Sequence, residues 1–329
     1  MEPVSSSTAP IRSGLLGLSP ATAGALCCAV SVLGYSSANV CMRHLAGLKC
    51  DPTWVIFNKE LVSVLVVGPW LLVQAWRGVR TMPSGRPLAI LIAVGLATEL
   101  ASAAMQWAMG VAGIAVMIPA NTGFLLMAAA VLGWLLLGER VSLRSMLALA
   151  LLVVAIALLA QGAGVTGPAN PGQPARATLA LAIGVACAAG TIYALLSIAI
   201  RHCVTGTTPL GAVVIIITGM GVISLGPLTV YRLGLPRLLE APPSHFAWTA
   251  LAGVCNLVAF VALIRGLQLT TVVRVNMLNA SQVALCALAG VTLFHEPPTW
   301  WLLGGIVLTI GGIFLIGQPV DQLAVDEHV

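Results

Sequence analysis

Ten long apolar runs alternate with short polar connections along this chain. Each run is 19–26 residues long, close to the 20 residues with which a helix crosses a bilayer. None shows the alternating pattern of a membrane barrel strand. We therefore predict ten transmembrane helices, at 21–42, 53–75, 87–109, 112–137, 143–161, 178–200, 207–231, 246–264, 270–294 and 299–317.

The runs form two sets of five that match at an offset of about 158 residues. Tyr35 corresponds to Tyr193, and Asn121 corresponds to Asn279. Because five is odd, the second set crosses the membrane in the opposite sense to the first. The predicted fold is an all-α membrane protein whose ten transmembrane helices form two inverted five-helix repeats. Proteins of this plan bind substrate near mid-membrane, between the repeats.

The polar segments divide the chain into five parts. Gly and Pro residues concentrate between the two sets of runs, where no helix can continue. We predict a polar tail at 1–20, a first repeat at 21–161, a Gly/Pro linker at 162–177, a second repeat at 178–317 and a C-terminal tail at 318–329.

Composition supports a lipid environment. Hydrophobic residues make up 59% of the chain and charged residues only 8%, against roughly 25% charged residues in soluble domains. The predicted partners are therefore the lipid bilayer and a small-molecule substrate. The basic residues are scattered between the runs without interleaved aromatic residues, so we expect no nucleic-acid partner.

Basic residues in short loops predict the orientation in the membrane. With the N-terminus inside, the first half has five basic residues in inner loops and only Arg43 and Lys49 in outer loops. We predict a multi-pass protein of the cell (inner) membrane with both termini cytoplasmic.

Two motifs resemble catalytic or cofactor signatures but lack the required context. The GxGxxG letters at 162–167 follow a membrane run and precede prolines, so no nucleotide-binding turn is expected. His295-Glu296 begins an HExxH motif, but Thr299 stands where the second histidine is needed. No CxxC pair is present. We predict no cofactor, no metal site, no catalytic residue and no enzyme activity.

Glu99 lies in the middle of the third run, about twelve residues from either end. An acid at that depth costs about 2.5–3.5 kcal/mol on insertion, so function is the default hypothesis. We predict that Glu99 takes up a proton or a cation in a central cavity. Gln106 and Trp107 follow at helical spacing and are expected on the same face. The alternative is a neutral, hydrogen-bonded structural Glu99.

Three further charged residues lie inside predicted runs. Lys59 and Glu60 are neighbours on one helix, so we expect their side chains to diverge by about 100° and not to pair directly. Lys59 either faces the cavity or snorkels to the surface. Arg274 either binds an anionic substrate group, pairs with Glu99 or Glu60, or anchors the helix at the membrane face.

Neutral polar residues occupy equivalent places in the two repeats. Amides offer donors and acceptors and suit a zwitterionic or polyhydroxy ligand. Hydrogen bonds between helices are the alternative role. The candidates are Asn121, Asn279, Gln282, Tyr35 and Tyr193.

The chain resembles the drug/metabolite transporter superfamily, and within it the EamA-type ten-helix transporters. The resemblance is carried by the paired repeats and by the segments GWLLLGERVSLRSMLALALLVVAIALLAQG (133–162) and LFHEPPTWWLLGGIVLTIGGIFLIG (293–317). Glu139 and Glu296 match the acid that closes the fourth helix of each repeat in this family. The resemblance implies that both cap the next helix or fix the turn.

The resemblance implies a secondary transporter, by expectation an exporter, of small polar metabolites such as amino acids, working by alternating access. Proton or cation coupling stays open. A sugar-nucleotide or sugar-phosphate exchanger is the alternative within transport, and a membrane-embedded enzyme or sensor is the alternative outside it. Paired glycines in the last run predict close helix packing within one protomer first, with a homodimer as the second option.

Overall fold

The computed structural model describes residues 20–79, 81–137, 143–162, 175–204, 208–236, 240–269 and 272–317. Long helices joined by short turns make up this described chain. They are α1 (Pro20–Gly47), α2 (Pro52–Trp76), α3 (Arg86–Ala112), α4 (Ile114–Leu137), α5 (Leu143–Gly162), α6 (Arg176–Val204), α7 (Leu210–Leu233), α8 (Pro243–Leu269), α9 (Val272–Ala280), α10 (Gln282–Phe294) and α11 (Trp300–Gly317).

Seven of these helices are long and apolar enough to cross a membrane, namely α1–α4 and α6–α8. Shorter apolar segments lie in the others, at Ala150–Leu159, Leu278–Phe294 and Trp300–Gly312. The described chain is therefore a helical, multi-pass membrane protein. The ten-span inverted repeat remains a prediction, because the three shorter segments do not meet that length.

We had expected the ninth predicted run to be one continuous helix, but it is not. It divides at Ser281 into α9 and α10. At this point the backbone hydrogen bonds tighten, since Ser281 N donates to Leu278 O and Ala284 N donates to Ser281 O. The Ser281 hydroxyl also donates to Leu278 O at 2.6 Å. A serine that bonds its own backbone in this way competes with regular helical hydrogen bonds.

Local sequence explains the sharp turn into α2. Asp51 precedes Pro52 and accepts hydrogen bonds from Thr53 N at 2.8 Å and Trp54 N at 3.4 Å. An aspartate at this position satisfies backbone donors that would otherwise lack partners. Asp51 also pairs with Arg232, across a gap of 3.2 Å, which ties α7 to the same end of the bundle.

The helices pack in pairs that join the two halves of the chain. Helix α1 packs on α8, α3 packs on α6, α2 packs on α7, and α5 packs on α11. A β-carbon on Gly95 would lie 3.2 Å from Ile217 Cα, and one on Gly253 would lie 2.7 Å from Lys59 O. At the offset of 158 residues, Gly95 corresponds to Gly253 and Lys59 corresponds to Ile217, so the two contacts are equivalent. A twofold relation between the halves requires this equivalence.

The paired glycines of α11 pack within the protomer, at least at Gly305. A β-carbon there would lie 2.7 Å from Leu159 Cγ of α5. This agrees with the first of the two predicted roles for these glycines.

Candidate functional site

A cavity of about 180 Å³ lies between the two halves of the chain. Its lining comes from α1–α4 and from α6–α10, so neither half could form it alone. Eight of the predicted site residues line it: Tyr35, Lys59, Glu60, Glu99, Asn121, Tyr193, Asn279 and Gln282.

Lys59 and Glu60 form an ion pair beside this cavity, with Lys59 Nζ at 2.6 Å from Glu60 Oε1. Lys59 is 5% exposed and Glu60 is 1% exposed. The expectation that neighbours on one helix cannot pair was wrong. Their Cβ atoms do diverge, but the flexible four-carbon stem of lysine lets its ammonium reach back. Burial makes an unpaired charge costly, which favours that reach.

Glu99 is the second acid at the cavity, and it is only 3% exposed. Among the described residues, no hydrogen-bond partner reaches its Oε2 atom. A β-carbon on Gly221 of α7 would lie 2.9 Å from Glu99 Oε2 and 3.0 Å from Glu60 Cγ. The absence of a side chain at Gly221 therefore makes room for both acids.

This group of two acids and one lysine has a formal charge of −1 when every member is ionised. Lys59 is already bonded to Glu60. The Glu99 Oε2 atom, and the Glu60 Oε2 atom that also lacks a partner in the described chain, belong to residues that line the cavity. Because a buried carboxylate without a partner is costly, this group favours the uptake of a proton or a cation.

The two tyrosines line the same cavity from α1 and α6. Ser102 Oγ lies 3.1 Å from the Tyr193 hydroxyl, so α3 and α6 are joined by a hydrogen bond here. Tyrosine rings offer apolar surface with one polar tip. They can therefore bound a ligand that is only partly polar.

The amides of α4 and α9 differ in what they bind. Asn121 Nδ2 donates across to Ala186 O of α6 at 3.0 Å, whereas Asn279 Nδ2 donates to Val275 O of its own helix at 3.2 Å. Asn279 Oδ1 and Asn276 Nδ2 are buried without a hydrogen-bond partner among the described residues. One acceptor and one donor are thus available to a ligand.

The predicted face of Glu99, Gln106 and Trp107 is not assembled. Gln106 is buried but donates from Nε2 to Met42 O at 2.8 Å, joining α3 to α1. Trp107 packs against the apolar core. Neither residue lines the cavity. Helical spacing predicted one shared face, but Gln106 is bonded to α1 and Trp107 packs in the core.

Two predicted residues cannot be placed. The side chain of Arg274 lies outside the described residues, although its backbone belongs to α9, and Glu139 lies outside them entirely. Glu296, its counterpart, is described and has a structural role. It bonds the start of α4 rather than the next helix, α11, whose first turn is capped by Thr299.

Several polar lining residues were not among the predicted site. A signal for them existed, because the repeat offset that relates Tyr35 to Tyr193 also relates Asn39 to Ser197, and Thr98 to Asn256. Members of these pairs line the cavity together. Asn39 Nδ2 reaches Gln282 Oε1 at 3.5 Å. The residues missed are Asn39, Thr98, Ser102, Ser197, Thr218 and Asn256.

Comparison with known proteins supports the class of this protein. Residues 180–318 match the EamA-like transporter family. No curated protein matches the chain. A solved crystal structure of another protein is similar over 90% of this chain and 96% of that chain, with a TM-score of 0.59 and 17% sequence identity. At this identity the likeness shows the fold alone.

The family match confirms the resemblance predicted from the sequence. The matched residues, 180–318, form the second half of the chain. Together with the apolar helices, the match supports a multi-pass membrane protein whose second half is similar to a family of transporters.

Proposed function

We propose that this protein is a secondary transporter that binds small polar metabolites, such as amino acids, in the cavity between its halves. Glu99 is the coupling group, which holds a proton or a cation when no substrate is bound. The proposed direction is export, by alternating access. The single observation that carries this proposal is a cavity lined by both halves, beside which the buried Glu99 has one oxygen without a hydrogen-bond partner among the described residues.

The size of the cavity favours a small substrate. A cavity of about 150 Å³ in another protein holds benzene, and the cavity here is about 180 Å³. That volume suits a free amino acid or a compact amine. A sugar nucleotide is several times larger than benzene and does not fit this conformation.

The charge of the cavity also favours a small cationic or zwitterionic substrate over a phosphorylated one. Phosphate recognition needs free cationic or backbone donors. Among the described residues that line the cavity, Lys59 is the only basic side chain, and it is bonded to Glu60. These two observations weigh against the sugar-nucleotide and sugar-phosphate alternative.

Coupling follows from competition for the same carboxylate. When a substrate ammonium reaches Glu99, the proton held there is released, because the cavity accommodates one added positive charge. Substrate and proton then occupy the cavity alternately, and this mutual exclusion is the condition for exchanging one for the other across the membrane. The free amide atoms of Asn276 and Asn279 would orient the rest of the substrate.

The test is the thermal stability of the purified protein against a panel of amino acids, amines, sugar phosphates and nucleotide sugars, at two pH values. A ligand that binds only the folded state raises the melting temperature by mass action. We expect an amino acid or amine to stabilise the wild type in a pH-dependent way. Glu99→Gln should remove that pH dependence. In coupled systems, one ligand typically changes the affinity for the other about 5–150-fold.

Glu240→Gln is the matched control, since Glu240 is an exposed acid outside the cavity. It should behave as the wild type does. Stabilisation by sugar phosphates alone would favour the exchanger alternative. A ligand effect that Glu99→Gln leaves unchanged would contradict the coupling role of Glu99. A ligand that detergent-solubilised protein chemically converts would instead indicate an enzyme.

A further inference from the structure

The Glu296 carboxylate joins three separate parts of the bundle. Glu296 Oε1 accepts a hydrogen bond from Arg43 Nε at 2.8 Å, from the end of α1. The same oxygen accepts from Ile114 N at 3.0 Å, and Oε2 accepts from Ala115 N at 2.9 Å, at the start of α4. We name this set the Glu296 junction: Arg43, Ile114, Ala115 and Glu296.

The backbone around the junction is shaped for this carboxylate. Gly113 has φ +82°, and a β-carbon there would lie 2.5 Å from Glu296 Oε1. A β-carbon on Gly290 of α10 would lie 2.7 Å from Glu296 Oε2. Any larger residue at these two positions would displace the acid. The Arg43 guanidinium also lies over the Phe294 ring, 5.3 Å from its centroid.

The junction links the two halves of the chain at one end of the bundle. Arg43, Ile114 and Ala115 belong to the first half, whereas Glu296 lies between α10 and α11 of the second half. A charge-assisted bond shared by several donors is strong, yet it is broken by moving one small group. Such a contact can hold two packed bodies in one arrangement and release them as a unit.

The junction lies directly beside the cavity. Met42 precedes Arg43, Met109 lies four residues before Gly113, and Ile118 lies four residues after Ile114. All three of these apolar side chains line the cavity and belong to one buried core cluster. At most one helical turn therefore separates the junction and the adjoining Gly113 from cavity-lining residues on α1, α3 and α4.

We propose that the Glu296 junction is the gate at this end of the cavity, closed in the structure and broken when the cavity opens to that face of the membrane. The inference rests on the proposed transport function. It assigns Glu296 and Arg43 as positioning residues, because neither lines the cavity.

Native cysteines allow a test that needs no substrate. Cys286 is fully buried on α10, one turn before Gly290, and its Sγ lies 4.0 Å from Asn39 Nδ2. Cys50 lies half-buried in the α1–α2 turn at the same end of the bundle. Cys203 reports on the opposite end, since it is buried against Pro87 at the start of α3.

The experiment adds a membrane-impermeant maleimide to one side of sealed vesicles, in each orientation. Peptide mass spectrometry then gives the labelling rate of each cysteine in the full chain. Glu296→Gln should speed labelling of Cys286 roughly tenfold, the change expected when one charge-assisted hydrogen bond is lost. The effect should come only from the side on which Cys50 is labelled, and Cys203 should not change.

Arg43→Gln is the second variant, because it keeps both backbone hydrogen bonds to Glu296 and should fold even where Glu296→Gln does not. It should speed Cys286 labelling by less. Arg232→Gln is the matched control: it breaks the ion pair with Asp51 at the same end without touching α4. Hydrogen exchange at Ile114 and Ala115 should quicken in the two gate variants and not in this control.

Three results would overturn the gate. Cys286 labelling could stay at the wild-type rate in both folded variants, it could rise equally with Cys203 from both sides, or Arg232→Gln could match the gate variants. Since no substrate enters this assay, any of these results would leave the transport proposal standing. If no ligand of the thermal panel stabilises the wild type, but Cys286 labelling is faster from one side in the gate variants, the gate stands and the proposed substrate site is contradicted.

Discussion

The two halves of this chain contribute many equivalent positions to the cavity but very different chemistry. Lys59, Glu60 and Glu99 of the first half have Ile217, Thr218 and Leu257 as their repeat counterparts. Every charged side chain among the described lining residues therefore comes from the first half. The comparison shows that duplication can supply a cavity while divergence of one copy supplies its charge.

The positions that hold the helices together have diverged less. Gly95 lies against Ile217, and Gly253 lies against Lys59. The two glycines are repeat counterparts, and so are Lys59 and Ile217. These contacts involve backbone atoms, which do not change when the side chain at 59 or 217 changes. Packing could therefore stay similar in both halves while the side chains that face the cavity changed.

The largest effect is expected from Lys59→Met. It leaves Glu60 buried without its ammonium partner, and breaking a buried pair in this way costs about 3–5 kcal/mol. Unfolding in mixed micelles measures the free energy. Ile217→Met, at the equivalent position of the second half, should cost less than about 1.5 kcal/mol. Equal losses at the two positions would contradict the difference between the halves.

The double variant Lys59→Met with Glu60→Gln sharpens the same comparison. It removes both charges together, so it should recover much of the stability that Lys59→Met loses. If the double variant is as unstable as the single one, packing of the lysine stem rather than charge pairing explains the loss.

Gly221→Ala should have the second largest effect. The added β-carbon would press on Glu99 Oε2 and Glu60 Cγ, and crowding of this kind costs about 1–3 kcal/mol. Gly219→Ala is the control on the same helix, because its β-carbon would enter open space. It should be neutral or stabilising by up to about 1 kcal/mol, as Ala favours helix over Gly. A loss of the same size at Gly219 would show that α7 needs flexibility instead.

The smallest effect is expected from the repeat-equivalent amides. Asn121→Ala removes a hydrogen bond between α4 and α6, which in membrane helices averages about 0.6 kcal/mol. Asn279→Ala removes only a bond within α9 and should leave the unfolding free energy nearly unchanged. It should instead reduce the stabilisation by any ligand found in the thermal panel. The reverse pattern would make Asn279 structural and Asn121 the ligand contact.

Part of the site was predictable from the free-energy cost of placing an acid in the membrane and from the internal sequence repeat. Glu99 stood out since an acid at mid-membrane needs a reason, and Tyr35 with Tyr193 stood out through the repeat. Gln106 was misplaced because helical spacing gives a face but not the helix that packs on it. The pairing of Lys59 with Glu60 was missed because Cβ directions say little about long, flexible side chains.

The sequence by itself determined that the chain is a helical, multi-pass membrane protein, because length and hydropathy of a run are local properties that lipid imposes on each segment. It also pointed to the family through repeated positions and the ends of two helices. Only the tertiary structure decided that α9 and α10 separate at Ser281, that Gly221 makes room for two acids, and that Glu296 binds the start of α4. These features depend on which distant helices meet, and no local pattern records that choice.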